Sequence, residues 1–133
     1  MPLNNKGVSL KNLRRYKEAL ECFNKAIEVD PKEPVSYYNK GNTYKLMENY
    51  DQALKEFDQA IALNEKYVNV YFNKGLTLNI LGRYYDAIDN FNICPGFNDK
   101  YDQAYLNKGI SLAILNQREE ALKQFDIALK INK

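Results

Sequence analysis

The sequence of 133 residues contains no histidine, and this absence excludes several kinds of active site. Nucleophilic sites that pair serine or cysteine with an imidazole base need histidine, and so do histidine-ligated metal sites. Adjacent acidic residues such as Glu119 and Glu120 are neighbours on a helix and do not face each other. No glycine-rich loop that would cradle a phosphate is present. We therefore predict a protein that is not an enzyme and has no metal or other cofactor.

The chain also has few cysteines, no long apolar run and little net charge. Its two cysteines, Cys22 and Cys94, have a spacing that supports neither a disulfide nor a metal framework. The apolar stretches are only a few residues long, and the N-terminus lacks the regions of a secretion signal. A net charge of +2 indicates neither nucleic acid nor an anionic membrane as partner. We expect a cytoplasmic, or otherwise intracellular, protein without nucleic-acid or membrane partners.

The chain contains one short motif, Asn-Lys-Gly, that recurs four times at a constant spacing. Apolar residues recur three and six positions after each glycine and four positions before it, which is the spacing of one helix face. An alanine, a phenylalanine and another small residue follow at steps of four and three, which predicts a second amphipathic helix. The glycines are Gly7, Gly41, Gly75 and Gly109, and the phenylalanines are Phe23, Phe57, Phe91 and Phe125.

We expect the two helices of each repeat to pack closely at these glycines. Glycine inside a helix costs about 1 kcal/mol relative to alanine, so four glycines in register favour a packing reason. At a close helix crossing a side chain would hold the backbones apart, while aromatic side chains fill the space beside the contact. Cys94 falls where the other repeats carry alanine, so we predict that it is a small core residue.

With these residues the chain resembles the tetratricopeptide repeat family, whose unit is a helix-turn-helix of about 34 residues. In the second repeat Gly41, Tyr44, Ala53 and Phe57 match the family pattern, whereas Tyr37 and Lys40 stand where the pattern has tryptophan and leucine. The resemblance extends over essentially the whole chain, although no repeat has the family's tryptophan. It implies an all-α fold, a right-handed superhelical α-solenoid of about eight helices in antiparallel pairs. The implied single array has repeats at about 1–33, 34–67, 68–101 and 102–133.

The third repeat departs from the others at Cys94-Pro95-Gly96. Proline lacks the backbone N–H of a helical residue and clashes with the preceding turn. We therefore expect the second helix of this repeat to stop near Ile93 or Cys94.

In the tetratricopeptide repeat family the first helices line a concave groove that binds peptides. The resemblance therefore implies a non-enzymatic protein-interaction scaffold. Each first helix also places an asparagine on that face, and an amide can donate to and accept from a peptide unit at once. We call Asn5, Asn39, Asn73 and Asn107 the asparagine row. The other predicted peptide-binding residues are Tyr38, Phe72, Leu106, Asn42, Leu76 and Ile110.

Other readings of the same residues stay open. Shared ancestry of duplicated repeats on a solvated face also explains the asparagine row. The last repeat lacks a polar capping helix, which leaves the region near Ile127 and Ile131 for a second copy of the chain. Self-association through this uncapped end, or a fragment of a larger tetratricopeptide protein, is therefore the alternative. Asn4, Asn69 and Asn73 stand where a carboxylate clamp needs basic residues, which argues against binding of chaperone tails by that mechanism.

Overall fold

The computed structural model describes residues 2–97 and 101–132, and the side chain of Phe97 lies outside the description. The described residues form eight α-helices and no β-strand, which confirms the predicted all-α fold of paired helices. None of these helices has the length and apolar character needed to cross a bilayer. The helices are α1 Pro2–Asn12, α2 Tyr16–Val29, α3 Pro34–Leu46, α4 Tyr50–Leu63, α5 Val68–Ile80, α6 Tyr84–Phe97, α7 Asp102–Ile114 and α8 Arg118–Ile131.

The chain divides into two compact units, residues 1–70 and residues 71–133. In the first unit α1 packs on α2 and α3, α2 packs on α3, and α3 packs on α4. In the second unit α6 packs on α7, and α7 packs on α8.

The predicted small and large residues of the second helix in each pair form the core of both units. The alternation of alanine and phenylalanine lets each ring lie between two small side chains, which is how a helix pair reaches close packing. Fully or almost fully buried members of this stripe are Ala19, Phe23 and Ala26 in α2, Ala53, Phe57 and Ala60 in α4, Ala87, Phe91 and Cys94 in α6, and Ala121 in α8.

Cys94 has the predicted role of a small core residue. Its side chain is fully buried, and its Sγ donates to the backbone oxygen of Asn90 at 3.6 Å. Burial raises the pKa of the Cys94 thiol to about 11. The thiol is therefore neutral near pH 7 and behaves as an apolar side chain.

Each repeated glycine lies against a phenylalanine ring of the following helix. A Cβ built on Gly41 would stand 2.6 Å from Cε1 of Phe57 and 3.3 Å from the backbone oxygen of Ala53. The expected close packing is confirmed, with one difference: the ring lies on the contact itself and not beside it. The same relation joins Gly7 to Phe23, Gly75 to Phe91 and Gly109 to Phe125.

The turn inside each helix pair uses one residue in the left-handed backbone region. Arg14, Glu48 and Asn116 have φ angles of 64°, 61° and 65°, and Gly82 has 78°. The following N–H closes each turn with a backbone hydrogen bond of 2.9 Å to the first helix. Left-handed backbone costs a residue with a Cβ about 1–2 kcal/mol, so the third turn alone among these four avoids the cost.

The prediction that the second helix of the third repeat stops near Ile93 or Cys94 is wrong, because α6 continues through Pro95 to Phe97. Proline removes one intrahelical hydrogen bond and crowds the carbonyl four residues earlier. Complete burial of Cys94 holds the last turn in place, because tertiary packing outweighs local propensity. As a result α6 has the 14 residues that α2 and α4 also have.

Candidate protein-interaction surface

The asparagine row lies near the middle of the first helix in each pair. In the first unit Asn5 of α1 is exposed and Asn39 of α3 is half-buried. In the second unit Asn73 of α5 and Asn107 of α7 are both half-buried. All four side chains thus keep some accessible surface, and their role in binding a ligand stays a prediction.

The backbone carbonyls of Asn39 and Asn73 accept hydrogen bonds from hydroxyl groups four residues later. Oγ1 of Thr43 donates to Asn39 O, and Oγ1 of Thr77 donates to Asn73 O, both at 2.8 Å. Both threonines are fully buried, so these hydrogen bonds satisfy hydroxyl groups that water cannot reach. The sequence analysis does not single out these threonines. Each of them follows a repeated glycine by two residues, and this shared position in the repeat is the signal that could have identified them.

The amide of Asn107 also contacts its own helix. Its Nδ2 donates to the backbone oxygen of Gln103 at 2.8 Å. A peptide ligand would therefore compete with this helical carbonyl for the donor of Asn107.

Tyr38 packs against other aromatic rings of the first unit. Its ring centroid lies 6.2 Å from that of Phe57 and 5.0 Å from that of Tyr67. Burial raises the pKa of the Tyr67 phenol to about 12, with smaller contributions from Tyr38 and Glu33. Tyr38 is half-buried, so part of its surface is already used inside the fold.

Phe72 has the same arrangement in the second unit. Its ring centroid lies 5.9 Å from that of Phe91 and 5.2 Å from that of Tyr101. Only 8% of Phe72 is exposed, so it has little area for a ligand and mainly supports its neighbours.

One face of α7 carries large aliphatic side chains that are not covered. Leu106, Ile110 and Ile114 follow each other at intervals of four residues, which places them on one side of the helix. Their exposed fractions are 44%, 41% and 51%. Three partly exposed aliphatic side chains along one helix face form a candidate interaction surface.

The neighbouring helix α5 extends this apolar face. Oγ of Ser111 donates to Oδ1 of Asn79 at 2.8 Å, which holds α7 beside α5 within the second unit. Ile80, next to that bond, is 54% exposed, and Leu76 is half-buried. We define the apolar patch as Leu76, Ile80, Leu106, Ile110 and Ile114.

Some of the corresponding positions of the first unit are polar. Asn42 stands where the patch has Leu76 and Ile110, and Asn12 stands where it has Ile80 and Ile114. Leu46, at the second of these positions, keeps an aliphatic side chain that is 52% exposed. The first unit therefore shares only part of the aliphatic character of the patch.

The lysine of the second Asn-Lys-Gly motif has a structural partner. Nζ of Lys40 lies 3.7 Å from Oε1 of Glu56, and the two side chains are only 17% and 8% exposed. Gln52 Nε2 donates to the other carboxylate oxygen of Glu56 at 2.8 Å. This buried pair explains why a lysine is tolerated where the tetratricopeptide pattern has leucine.

A metal centre does not emerge from the described residues. Across residues 2–97 and 101–132, no group of three or more Cys, Asp and Glu side chains is placed to hold a metal ion.

Comparison with known families agrees with this geometry. One profile of the tetratricopeptide repeat matches residues 2–33 and 34–67, and a second profile of the same repeat matches residues 56–89. The chain belongs to the tetratricopeptide repeat family. The tetratricopeptide repeat fold supports a role in protein interaction. A comparison with curated protein sequences finds no significant match.

Solved structures of the tetratricopeptide protein MamA are similar to this chain. A crystal structure of MamA is 25% identical with a TM-score of 0.92, and the match covers 98% of this chain and 76% of MamA. A MamA structure from Desulfovibrio magneticus RS-1 is 19% identical with a TM-score of 0.88, covering 98% and 74% of the two chains. At that identity the likeness shows the fold alone.

Proposed function

We propose that this tetratricopeptide protein is a non-enzymatic scaffold that binds a segment of a partner protein along its first helices. The observation that carries the proposal is the apolar patch, in which Ile80 and the row on α7 are 41–54% exposed. Isolated exposed aliphatic residues are ordinary, but several along one face favour a binding site.

The size of the patch sets the strength of binding that it can supply. Full burial of an exposed Leu or Ile side chain gives about 1.5–3 kcal/mol. The four most exposed members are about half covered already, so a partner gains about 1 kcal/mol from each. The four contributions sum to about 4 kcal/mol, which corresponds to a Kd of about 1 mM before any association cost, so the patch alone supports only a weak and reversible complex and other contacts must add to it.

The asparagine row adds contacts that do not depend on the partner's sequence. An amide can accept from a peptide N–H and donate to a peptide carbonyl. Neighbouring first helices lie roughly 10 Å apart, and an extended peptide advances about 3.3 Å per residue. Within each unit, one asparagine would therefore meet about every third residue of a bound chain.

Binding to an array of immobilised peptides tests the proposal. Ile110→Arg places a charge in the apolar patch and should abolish binding to the peptides that the unmodified protein selects. Leu122→Arg is the matched control, because Leu122 of α8 is 62% exposed and lies outside the patch. Equal binding by both variants would contradict the proposal.

A second pair of substitutions separates the asparagine row from the patch. Asn39→Ala together with Asn73→Ala should weaken binding to all selected peptides by a similar factor, since backbone contacts are blind to sequence. Circular dichroism should show unchanged helicity. Unchanged peptide binding would remove the row from the proposed site and leave the patch as its only component.

Self-association is the competing function, and the same variants test it. Light scattering on size-separated protein across a concentration series gives the molar mass in solution. A monomer at every concentration leaves the patch for a partner. A dimer that Ile110→Arg dissociates would mean that a second copy occupies the patch.

A further inference from the structure

Charge is unevenly divided between the first and second helices of the first unit. The first helices, α1 and α3, contain four lysines and neither aspartate nor glutamate. The second helices, α2 and α4, contain three lysines and six carboxylates. In the second unit the first helices, α5 and α7, contain two lysines and one aspartate. The first helices of the first unit are therefore a distinctly positive part of the chain.

Two of these lysines, Lys11 and Lys45, hold the same position in the repeat, four residues after a repeated glycine. In the second unit this position is Asn79, which accepts a hydrogen bond of 2.8 Å from Ser111 of the neighbouring first helix. The position therefore lies where one first helix meets the next. Since α1 packs on α3, Lys11 belongs to the junction of these two helices.

The side chain of Lys11 is half-buried, and within residues 2–97 and 101–132 its ammonium group forms no hydrogen bond or ion pair. Thr43 of α3, which has the repeat position of Ser111, donates to the backbone of its own helix. Burial lowers the pKa of the Lys11 ammonium. Burial of a cation without a carboxylate is unfavourable, so a carboxylate from a ligand would relieve a cost that the fold already carries.

The other lysines of these two helices differ in how their charge is used. Lys45 is half-buried as Lys11 is, and burial lowers the pKa of its ammonium group as well. Lys40 lies 3.7 Å from the carboxylate of Glu56, which compensates its burial. Lys6 is exposed to solvent. Two half-buried ammonium groups thus occupy equivalent positions on helices that supply no carboxylate of their own.

The surroundings of the two lysines suit a peptide better than a nucleic acid. Asn42 is half-buried three residues before Lys45, and Leu46 directly after it is 52% exposed. An amide can bond to a peptide unit, and an exposed leucine can cover an apolar side chain. Single-stranded nucleic acids instead need aromatic rings on which bases stack. The helix α1 has no aromatic residue, and the three tyrosines of α3 are all half-buried.

The separation of the two lysines sets the spacing of the carboxylates that they can bind. Neighbouring first helices lie roughly 10 Å apart. A chain in polyproline II conformation points every third side chain in the same direction, and three residues advance it by about 9 Å. Two carboxylates with two residues between them would therefore reach Lys11 and Lys45 together.

We propose that Lys11 and Lys45 form a site for an acidic segment of a partner protein, in which two acidic residues are separated by two others. Each ammonium group pairs with one carboxylate, and the positive field of α1 and α3 draws the segment towards them. The site is distinct from the carboxylate clamp, whose positions hold Asn4, Asn69 and Asn73 in this chain.

This inference rests on the proposed scaffold function for the class of partner, but it concerns another unit and another chemistry. The apolar patch lies on α5 and α7 and contains no charged residue, whereas the acidic segment contacts α1 and α3. Ile110→Arg disrupts the patch and leaves both lysines in place, so the two proposals can fail separately.

A labelled peptide of repeated Glu-Pro-Ala triplets is the probe, and fluorescence anisotropy with the full chain is the readout. Its glutamates recur at every third residue, and its prolines favour the polyproline II conformation. The matched peptide has glutamine in place of each glutamate. At low ionic strength, where charges are weakly screened, the glutamate peptide should bind at least about tenfold more tightly than the glutamine peptide.

Variants of the protein then locate the binding site. Lys11→Gln and Lys45→Gln keep most of each side chain and remove its charge, so each should weaken the glutamate peptide by about fivefold. Both substitutions together should reduce its affinity to that of the glutamine peptide. Lys25→Gln is the matched control, because it removes the same charge from an exposed lysine of α2. It should leave the affinity nearly unchanged, as should Ile110→Arg. Circular dichroism establishes that each variant is folded.

Three outcomes would overturn the inference. The first is equal binding of the glutamate and glutamine peptides. The second is an equal loss with Lys25→Gln and with Lys11→Gln, which would mean that net charge alone attracts the peptide. The third is tighter binding of oligouridylate, or of vesicles that contain an anionic lipid, with the same loss in Lys11→Gln. That result would assign the two lysines to phosphate groups and not to an acidic protein segment.

Discussion

Gly41 lies so close to the ring of Phe57 that a methyl group on Gly41 would stand 2.6 Å from Cε1 of the ring. Phe57 is fully buried, as are Ala53 and Ala60 one turn to either side of it. The ring therefore has no free space into which it can move. This relationship explains the glycine of the Asn-Lys-Gly motif by packing, and it holds in all four helix pairs.

Replacing Gly41 by alanine should consequently lower the free energy of unfolding. The added methyl overpacks the contact at a cost of about 1–3 kcal/mol, while the better helix propensity of alanine returns about 1 kcal/mol. Gly96→Ala is the control, since Gly96 lies in the last turn of α6 and a Cβ there meets nothing within 4 Å. Urea denaturation should show a difference between the two variants of about 1–3 kcal/mol. Equal stabilities would mean that the ring moves aside without cost.

The buried pair of Lys40 and Glu56 gives a second prediction. Glu56→Ala leaves the lysine ammonium partly buried without its carboxylate, and removing one member of a buried pair costs about 3–5 kcal/mol. Lys40→Met together with Glu56→Leu removes both charges, so most of that loss should be recovered. The exposed pair Arg15 and Glu18 is the comparison, and Glu18→Ala should change stability by less than about 1 kcal/mol.

The outcome for the double variant decides what the pair contributes. If the double variant is as unstable as Glu56→Ala, the loss comes from packing of the side chains and not from an isolated charge. Thermal unfolding followed by circular dichroism measures all variants on one scale.

The sequence predicts the helices because each pair repeats two periodic faces. Gly41, Ala53 and Phe57 recur in register with their equivalents, and four copies of one pattern indicate eight helices more firmly than any single copy would. Burial of Cys94 is predictable for the same reason, since the residue takes an alanine position. The fold class therefore follows from residues that belong to the repeat.

The features that the sequence does not predict depend on contacts outside those faces. Tyr67 and Tyr101 lie in turns between helices, where no helical period indicates which way a side chain packs. The left-handed residues Arg14 and Glu48 are not glycines, so composition does not mark them as turn positions. The exposed fraction of a side chain depends on neighbours that are distant in sequence. The sequence therefore does not predict that Phe72 is buried while Leu106 and Ile110 are exposed.

Pro95 is the residue whose local preference is overruled by packing, and its substitution measures that conflict. Pro95→Ala restores a helical N–H at a position that is already helical, so the free energy of unfolding should rise by up to about 3 kcal/mol. Pro34→Ala is the control, because Pro34 is the first residue of α3, where proline is favoured. It should leave stability unchanged or lower it slightly. A loss of stability with Pro95→Ala would show that the proline ring itself contributes to packing.

The phenol of Tyr67 predicts how the first unit responds to alkaline pH. Burial raises its pKa from 10.0 to about 12, so the folded state favours the neutral form. The stabilisation is therefore complete below about pH 10 and is lost as the pH rises from about 10 to about 12. Tyr67→Phe keeps the ring and removes the titrating group, so its urea midpoint should fall less steeply with pH over this range.

Tyr85→Phe is the control, because it removes the hydroxyl group of a tyrosine that is 64% exposed. If both variants follow the unmodified protein, deprotonation of Tyr67 does not drive alkaline unfolding. Tyr44 then becomes the group to substitute next, since burial raises the pKa of its phenol as well. If only Tyr67→Phe makes the urea midpoint fall less steeply with pH, the first unit loses stability at alkaline pH because the phenol of Tyr67 loses its proton.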